Sequence, residues 1–200
     1  MFKEFLLVQV VARKKTQTRR THGLEQVNEN PNDWTFIEIL YYPPNNNKFA
    51  TFKKGNGFLA EKIINCKPKY QIGDICYLKE NYAIAGTTTH HHIYQSDYNE
   101  QDRKQIKWKS KLMMPAVSAR YKVKVTDIRV ERLHYITEQD AIDEGIERHW
   151  RDSELWKDYL SDDSAAHLPK IAFFTLWQSI NGKESWNKNP WVFVYTFELL

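Results

Sequence analysis

A run of strand-forming residues at its C-terminal end constrains the fold of this 200-residue chain more than any other feature. Residues 190–199 read Pro-Trp-Val-Phe-Val-Tyr-Thr-Phe-Glu-Leu, and β-branched and aromatic residues at this density are typical of a strand. A barrel whose last strand returns to the middle of the sheet is the natural way to close such a fold. The sequence therefore predicts a β-sheet core that is completed by the C-terminal strand.

The rest of the chain carries further strand and helix signals. Aromatic and β-branched runs bounded by turn residues predict four more strands. They lie at residues 34–42, 49–52, 69–82 and 118–131. Periodic segments with start and stop signals predict helices. They lie at residues 137–144, 153–160 and 169–180. Residues 3–12 are mostly apolar and fit either a buried helix or a buried strand, of which we prefer the helix.

These elements predict one α+β domain over residues 1–200, because no repeat or linker interrupts them. Residues 83–115 are polar and irregular, and we expect a long inserted loop there. Turns are expected at the Pro- and Asn-rich residues 43–47, at the glycine-containing residues 53–57 and at Gly73-Asp74.

The sequence also bears on the cellular compartment. It contains no run of eighteen apolar residues, and Met1-Phe2-Lys3-Glu4 does not resemble the start of a signal peptide. Cys66 and Cys76 lack the spacing of a zinc knuckle or a disulfide framework, so we expect two reduced thiols. These features predict a cytoplasmic protein without a cofactor or metal.

Charge is distributed unevenly although the net charge is only +4. Basic residues concentrate at 13–20 and 103–111, and acidic residues concentrate at 140–163. This asymmetry predicts one basic face and one acidic face.

The densest basic segment, residues 13–20, reads Arg-Lys-Lys-Thr-Gln-Thr-Arg-Arg. In extended backbone, alternate side chains point to the same side. One side would carry Lys14, Thr16, Thr18 and Arg20, and the other would carry Lys15, Gln17 and Arg19. Such a surface can bind phosphate through Lys and Arg while hydroxyls reach a base edge. The alternative is a solvated basic loop.

Four motifs, in the same order, resemble those of phage and prophage ASCH-domain proteins. They are residues 15–20 (Lys-Thr-Gln-Thr-Arg-Arg), 70–80 (Tyr-Gln-Ile-Gly-Asp-Ile-Cys-Tyr-Leu-Lys-Glu), 125–133 followed by 136–146, and 177–186 followed by 189–192. The resemblance spans most of the chain. It implies a PUA-like mixed β-barrel with surrounding helices, a fold close to that of RNA-binding domains.

More distantly, the chain is similar to small bacterial amidohydrolases that remove the acetyl group from N(4)-acetylcytidine. Their Lys-Thr-x-Thr-x-Arg motif falls on residues 15–20, and their helical glutamate falls on Glu144. The resemblance implies catalytic roles for Lys15, Thr18 and Glu144. A desolvated Lys15 would take a proton from Thr18 or water, and Glu144 would pass it to the leaving amine.

Two further features are candidates for the site, and a third, the histidine run at residues 90–92, is not. In the resembling proteins Glu80 belongs to a motif that points toward the cavity, although a buried carboxylate there can also be a structural salt bridge. Residues 103–111 place Lys107 beside Trp108, a pair suited to phosphate contact and base stacking, or alternatively to a packing loop. The His90-His91-His92 run is interpreted as a polar loop, because consecutive residues in regular structure cannot all face one ion.

The leading hypothesis is an ASCH-type domain that binds a nucleobase, a nucleotide or RNA, with RNA favoured over DNA. The binding residues would be Lys14, Thr16, Arg19, Arg20, Glu80, Lys107 and Trp108. The first alternative is an amidohydrolase acting on a modified nucleoside such as N(4)-acetylcytidine. The second alternative is a phage accessory module that binds a protein.

Overall fold

The computed structural model describes residues 4–42, 47–55, 61–86 and 91–200. Within these ranges the chain forms five α-helices and eleven strands, joined by short 3-10 turns. The helices are α1 (Glu4–Val11), α2 (Glu25–Glu29), α3 (Glu100–Arg103), α4 (Glu138–Asp143) and α5 (Pro169–Asn181). The strands are β1 (Gln17–Arg20), β2 (Trp34–Tyr42), β3 (Asn47–Lys54), β4 (Lys62–Cys66), β5 (Ile75–Tyr77), β6 (Tyr82–Ala85), β7 (His91–Tyr94), β8 (Lys122–Arg132), β9 (Trp156–Lys157), β10 (Ala165–Ala166) and β11 (Trp191–Leu199).

The central sheet has the antiparallel order β1-β11-β8-β5. The C-terminal strand β11 therefore lies inside the sheet, between β1 and β8, which confirms the position predicted for it. Its alternate residues pack into two different cores. Val192 and Val194 pack with α5 residues on one face, whereas Phe193 and Tyr195 pack on the other face with Phe52. The run of apolar residues is explained by this burial on both faces.

A three-stranded antiparallel sheet, β2-β3-β4, lies over the second of these cores. Two smaller hairpins, β6-β7 and β9-β10, complete the strand pairings. Mixed α+β architecture with a majority of strands is confirmed. Among the described residues the strands form four separate sheets, and no closed barrel is present.

Several helix predictions are confirmed. The helix predicted within residues 3–12 is present as α1 (Glu4–Val11). Residues 169–180 form most of α5 (Pro169–Asn181), which is followed by Gly182 with a φ of +92°. Helix α4 begins with a capping box in which Thr137 and Asp140 exchange side-chain-to-backbone hydrogen bonds. The part of the chain described here contains no helix of the length and apolarity that crossing a membrane requires.

Two segments differ from expectation. Residues 153–160 are not helical, because Trp156 pairs with Ala166 across the β9-β10 hairpin and forms a bridge to Arg148. The described part of residues 83–115 contains strands, helix α3 and 3-10 turns rather than one irregular loop. The five strands predicted from the sequence were too few, because strands of two to five residues carry too few alternations to detect.

Some turn predictions cannot be compared with the structure. Most of the turn at residues 43–47, the end of the reversal at residues 53–57, and His90 lie outside the described residues. The Gly73-Asp74 turn is confirmed, and Gly73, two residues before the start of β5, has a φ of +91°.

Candidate functional site

The basic segment at residues 13–20 enters the central sheet as the edge strand β1. Thr18 lies opposite Tyr195 and Arg20 lies opposite Phe193, whereas Arg19 lies opposite Val194. Directly paired residues of antiparallel strands share a face. Thr18 and Arg20 therefore lie on one face of the sheet and Arg19 lies on the other, as the alternation predicted.

On the Arg19 face, buried and half-buried ions form what we call the charge cluster. It consists of the buried Lys15, Arg19 and Glu144 and the half-buried Glu131 and Asp140. The ammonium of Lys15 donates to Glu144 Oε2, to the Glu144 carbonyl and to the Gln17 carbonyl, each at 2.7 Å. Lys15 is only 2% exposed and Glu144 only 4% exposed. This pair is thus held almost entirely away from water.

Arg19 contacts all three carboxylates of the charge cluster. Its guanidinium lies 2.7 Å from Glu131 Oε1, 3.2 Å from Asp140 Oδ2 and 3.3 Å from Glu144 Oε1. Arg129 also binds Glu131 and Asp140 from the partly exposed side. Three cations therefore face three carboxylates, which is the balance that buried charge requires.

The charge cluster contradicts the expectation of separate basic and acidic faces. Residues from the basic segment at 13–20 and from the acidic segment at 140–163 contact each other directly, as Lys15 and Arg19 do with Glu144. Their separation in sequence gave no information about this pairing, because the order of strands in the sheet brings them together.

Burial lowers the pKa of the Lys15 ammonium below its ordinary value, and the attraction of Glu144 offsets only part of this effect. A lysine of this kind gives up its proton more readily than an exposed lysine. It can therefore act as a base if a ligand or a water molecule reaches it.

A small inner cavity of about 60 Å³ opens beside the charge cluster. Lys15, Thr18, Arg19 and Glu144 are among the residues that line it. The indole N–H of Trp177, another lining residue, is buried and has no hydrogen-bond partner among the described residues. This cavity has room for water molecules and not for a whole nucleoside.

A larger cavity of about 350 Å³ lies on the opposite face of the sheet, and we call it the tyrosine cavity. Its apolar wall includes Leu7, Leu78, Val123, Val125 and Phe197. The residues that give it chemical character are Thr18, Arg20, Lys69, Tyr70, Cys76, Tyr77, Lys79 and Tyr195. The volume lies in the range of small-molecule sites.

Aromatic rings and cations are paired at the tyrosine cavity. The ammonium of Lys69 lies 5.4 Å from the Tyr70 ring, and that of Lys79 lies 5.5 Å from the Tyr77 ring. Tyr70 also packs edge-on against Tyr195 at 5.6 Å. Burial raises the pKa of Tyr195 to about 12, so its hydroxyl stays neutral at physiological pH. A flat, apolar ring with an attached anionic group matches this lining.

The structure brings together only some of the residues singled out from the sequence. Lys15, Thr18, Arg19, Arg20 and Glu144 line the inner cavity, and Thr18 and Arg20 also line the tyrosine cavity. Lys14 is exposed, and Thr16 is half-buried beside them, with its backbone N–H bonded to the Asp143 carbonyl at 2.8 Å.

Glu80 lies apart from this group. Its carboxylate accepts hydrogen bonds from Arg120 at 2.8 and 2.9 Å and from Ser96 at 2.9 Å. It lines a cavity of about 30 Å³ together with Asn81 and Gln95, away from Lys15 and Arg20. Of the two roles considered for Glu80, these contacts match the structural salt bridge, although with a partner that the sequence did not indicate.

The segment with Lys107 and Trp108 is also separate from both cavities. The indole N–H of Trp108 donates to the Arg103 carbonyl at 2.9 Å, and its ring packs edge-on against Tyr98. Lys107 is exposed. These contacts match the packing-loop interpretation of this segment. His92 contacts Ser118 Oγ at 2.9 Å.

Sequence reasoning missed the three tyrosines of the tyrosine cavity. Tyr70 and Tyr77 stand inside the motif at residues 70–80, and Tyr195 stands in the last strand. Alternation along the last strand groups Tyr195 with Phe193, but only the pairing of β1 with β11 shows that Thr18 lies beside it. The pairing of distant strands was the missing information.

Asp140 makes the charge cluster sensitive to acid. Burial alone would raise the pKa of Asp140, but hydrogen bonds from Thr137 and the charges of Arg19 and Arg129 outweigh burial and lower it below 3.8. A lowered carboxyl pKa stabilises the folded state above the unfolded pKa, and this stabilisation is lost as the pH falls through the folded pKa.

We therefore expect Asp140→Asn to lower the free energy of unfolding by about 1–3 kcal/mol at neutral pH, because it removes the negative charge that Arg19 and Arg129 stabilise. The asparagine keeps an oxygen that can accept the hydrogen bonds from Thr137. The difference from the wild type should shrink as the pH falls below about 3.8. Urea unfolding across a pH series measures this, with the exposed Asp162→Asn as control. A difference that is independent of pH would contradict the assignment.

Comparisons of the chain with protein-family models, with curated proteins and with solved structures gave no match. The chemistry of the two cavities and of the charge cluster is therefore the basis for a functional assignment.

Proposed function

We propose that this protein is an ASCH-type, PUA-like domain of phage or prophage origin that binds a nucleobase in the tyrosine cavity. The base would belong to a nucleotide or to RNA, and the protein would act in the cytoplasm. The observation that carries the proposal is the combination of tyrosine rings with Arg20, Lys69 and Lys79 around a 350 Å³ cavity.

The lining of the cavity supports this ligand class. A base presents two flat apolar faces, which stack on aromatic side chains, and a polar edge, which needs a few hydrogen-bonding groups. Tyr70, Tyr77 and Tyr195 supply rings, and Thr18 supplies a hydroxyl. The cations suit a phosphate at the mouth of the cavity.

The charge cluster holds β1 in place beside the tyrosine cavity. It fixes Arg19 of β1 and also Lys15, which precedes the strand, so β1 is held with Thr18 and Arg20 toward the tyrosine cavity. An edge strand with four residues would otherwise be weakly held.

Binding of ribonucleoside 5′-monophosphates, measured by calorimetric titration, tests the proposal. We expect Tyr77→Leu and Arg20→Gln each to weaken binding about tenfold, through loss of stacking and of phosphate contact. The matched controls Tyr135→Leu and Lys183→Gln, which lie outside this cavity, should bind like the wild type. Equal binding by all four variants, or no binding by the wild type, would contradict it.

Amide hydrolysis on a modified nucleoside is the second candidate, because Lys15, Thr18 and Glu144 line the same inner cavity. Neutral Lys15 would take a proton from Thr18 or from water, and the oxygen that loses this proton would attack the acyl carbonyl. Lys15 would pass the proton to Glu144, which would deliver it to the amine as the carbon–nitrogen bond breaks, and water would release the acyl group as the free acid if Thr18 carried it. This requires the 2.7 Å Lys15–Glu144 pair to open for substrate.

Base binding and amide hydrolysis predict different results with N(4)-acetylcytidine. Incubation with N(4)-acetylcytidine should leave the nucleoside intact if the protein only binds bases. Release of cytidine by the wild type and its loss in Thr18→Val, a variant that keeps the charge cluster, would instead establish hydrolysis.

A further inference from the structure

One face of the β2-β3-β4 sheet carries aromatic, aliphatic and polar side chains. Tyr42, Ile63 and Asn65 are exposed there, Leu40 and Phe49 are half-buried, and Thr51 is buried. Antiparallel pairing places Leu40 opposite Phe49, Tyr42 opposite Asn47, and Thr51 opposite Asn65. These positions alternate with Ala50 and Phe52, which are buried in the core. We call this surface the outer sheet face and define it by Leu40, Tyr42, Phe49, Thr51, Ile63 and Asn65.

Contacts organise the outer sheet face around two rings. Tyr42 packs edge-on against Phe49 at 5.1 Å, and Asn65 donates to the Tyr42 hydroxyl at 3.0 Å. The Lys67 ammonium lies 5.9 Å from the Phe49 ring. Tyr42 is 43% exposed, so part of an oriented ring is open to solvent beside an exposed cation.

Lysines outnumber acidic residues in the sequence of this region, although Lys48 is paired with Asp127 and Lys54 with Asp33. One carboxylate, Glu38, lies on the outer sheet face opposite Thr51. Residues 47–70 contain six lysines and one glutamate, which gives a formal charge of +5 in a chain whose total is +4. The lysines are Lys48, Lys53, Lys54, Lys62, Lys67 and Lys69. Lysines next to exposed aromatic rings are the combination that binds single-stranded nucleic acids without sequence preference.

A short stretch of chain, residues 67–70, connects the outer sheet face to the tyrosine cavity. Lys67 contacts Phe49, whereas Lys69 and Tyr70, two and three residues later, line the cavity. Two residues of extended chain span at most about 7 Å. A chain of phosphates can therefore pass from one cation to the next without leaving the surface.

We propose that the protein binds a single-stranded nucleic acid, with one base in the tyrosine cavity and the flanking nucleotides along Lys67, Phe49 and Tyr42 of the outer sheet face. This inference rests on the proposed function, since it uses the tyrosine cavity as the anchor of the strand. It specifies an oligonucleotide as the ligand and distinguishes it from a free nucleoside.

Fluorescence anisotropy with a labelled single-stranded RNA of about ten nucleotides, a length typical of such surfaces, tests the inference. We expect Tyr42→Ala to weaken RNA binding about tenfold through loss of stacking. Lys67→Ala should weaken it and lower the slope of log K against log salt by about 0.7. Both variants should bind a 5′-monophosphate like the wild type, because the tyrosine cavity is unchanged.

Two exposed residues elsewhere on the surface provide matched controls. Tyr135→Ala, at a ring that is 70% exposed, and Lys188→Ala should leave RNA binding unchanged. Monophosphate binding with no gain for the longer RNA would overturn this inference and leave the proposed function standing. RNA binding that is insensitive to Tyr42 and Lys67 would also overturn it, and binding of neither ligand would overturn both proposals.

Discussion

Replacing Glu144 by alanine is expected to lower the free energy of unfolding by about 3–5 kcal/mol, because it leaves two buried cations without their shared carboxylate. Lys15 would lose a partner at 2.7 Å, and Arg19 would lose one at 3.3 Å. Little water can reach either group to compensate, since both are only 2% exposed. Urea unfolding at neutral pH measures the loss.

A double variant separates the effect of lost charge pairing from the effect of lost packing. The double variant Lys15→Met Glu144→Gln removes the buried pair instead of breaking it, and we expect it to be more stable than Glu144→Ala alone. Glu29→Ala, at an exposed glutamate of α2, serves as the surface control and should change stability by less than about 0.5 kcal/mol. A Glu144→Ala protein as stable as the Glu29→Ala protein would show that the charge cluster does not stabilise the fold.

Gly145→Ala is expected to destabilise the protein by about 3 kcal/mol, through two effects that act together. Gly145 has a φ of +80°, a conformation that side chains other than glycine rarely adopt. A Cβ there would lie 2.6 Å from Lys15 Cβ and 3.0 Å from Gln9 Cβ. Since both neighbours are held by packing, Lys15 would have to move away from Glu144.

Gly73 provides a control with a similar φ. Its φ is +91°, but a Cβ there would meet nothing within 4 Å. Gly73→Ala should therefore lose only the conformational part, about 1–2 kcal/mol. If urea unfolding showed an equal loss of stability for the two variants, the close approach of Gly145 to Lys15 would not contribute to the loss at Gly145.

The elements that could be predicted from sequence are those whose signals are local. The last strand, α1, the capped helix α4 and the helix that ends at Gly182 were each indicated by residues within a few positions of one another. The hairpin at Trp156 was not, because its pairing with Ala166 outweighs a spacing of apolar residues that also fits a helix.

The candidate site was only partly predictable for the same reason. Alternation within residues 13–20 correctly separated Thr18 and Arg20 from Arg19. The partners of these residues come from strands and helices more than a hundred positions away, such as Glu144 for Lys15 and Tyr195 for Thr18. Glu80 shows the limit most clearly, since its partner Arg120 lies forty positions away, in the described segment between α3 and β8.

A cysteine inside the tyrosine cavity offers a direct probe of occupancy. Cys76 lines the cavity and is half-buried, whereas Cys66 is buried in the core. Burial raises the pKa of both thiols, that of Cys66 to about 11, so alkylation at mildly alkaline pH is slow and favours the more accessible Cys76. Cys76→Ser identifies the signal that comes from this residue.

The rate of Cys76 alkylation by iodoacetamide, measured with and without saturating ribonucleotide or single-stranded RNA, reports whether a base occupies the tyrosine cavity. If a base occupies the tyrosine cavity, the rate should fall with ligand concentration, and half of the protection should occur at the calorimetric Kd. Ligand binding that leaves the alkylation rate of Cys76 unchanged would place the base elsewhere and contradict the assignment of this cavity.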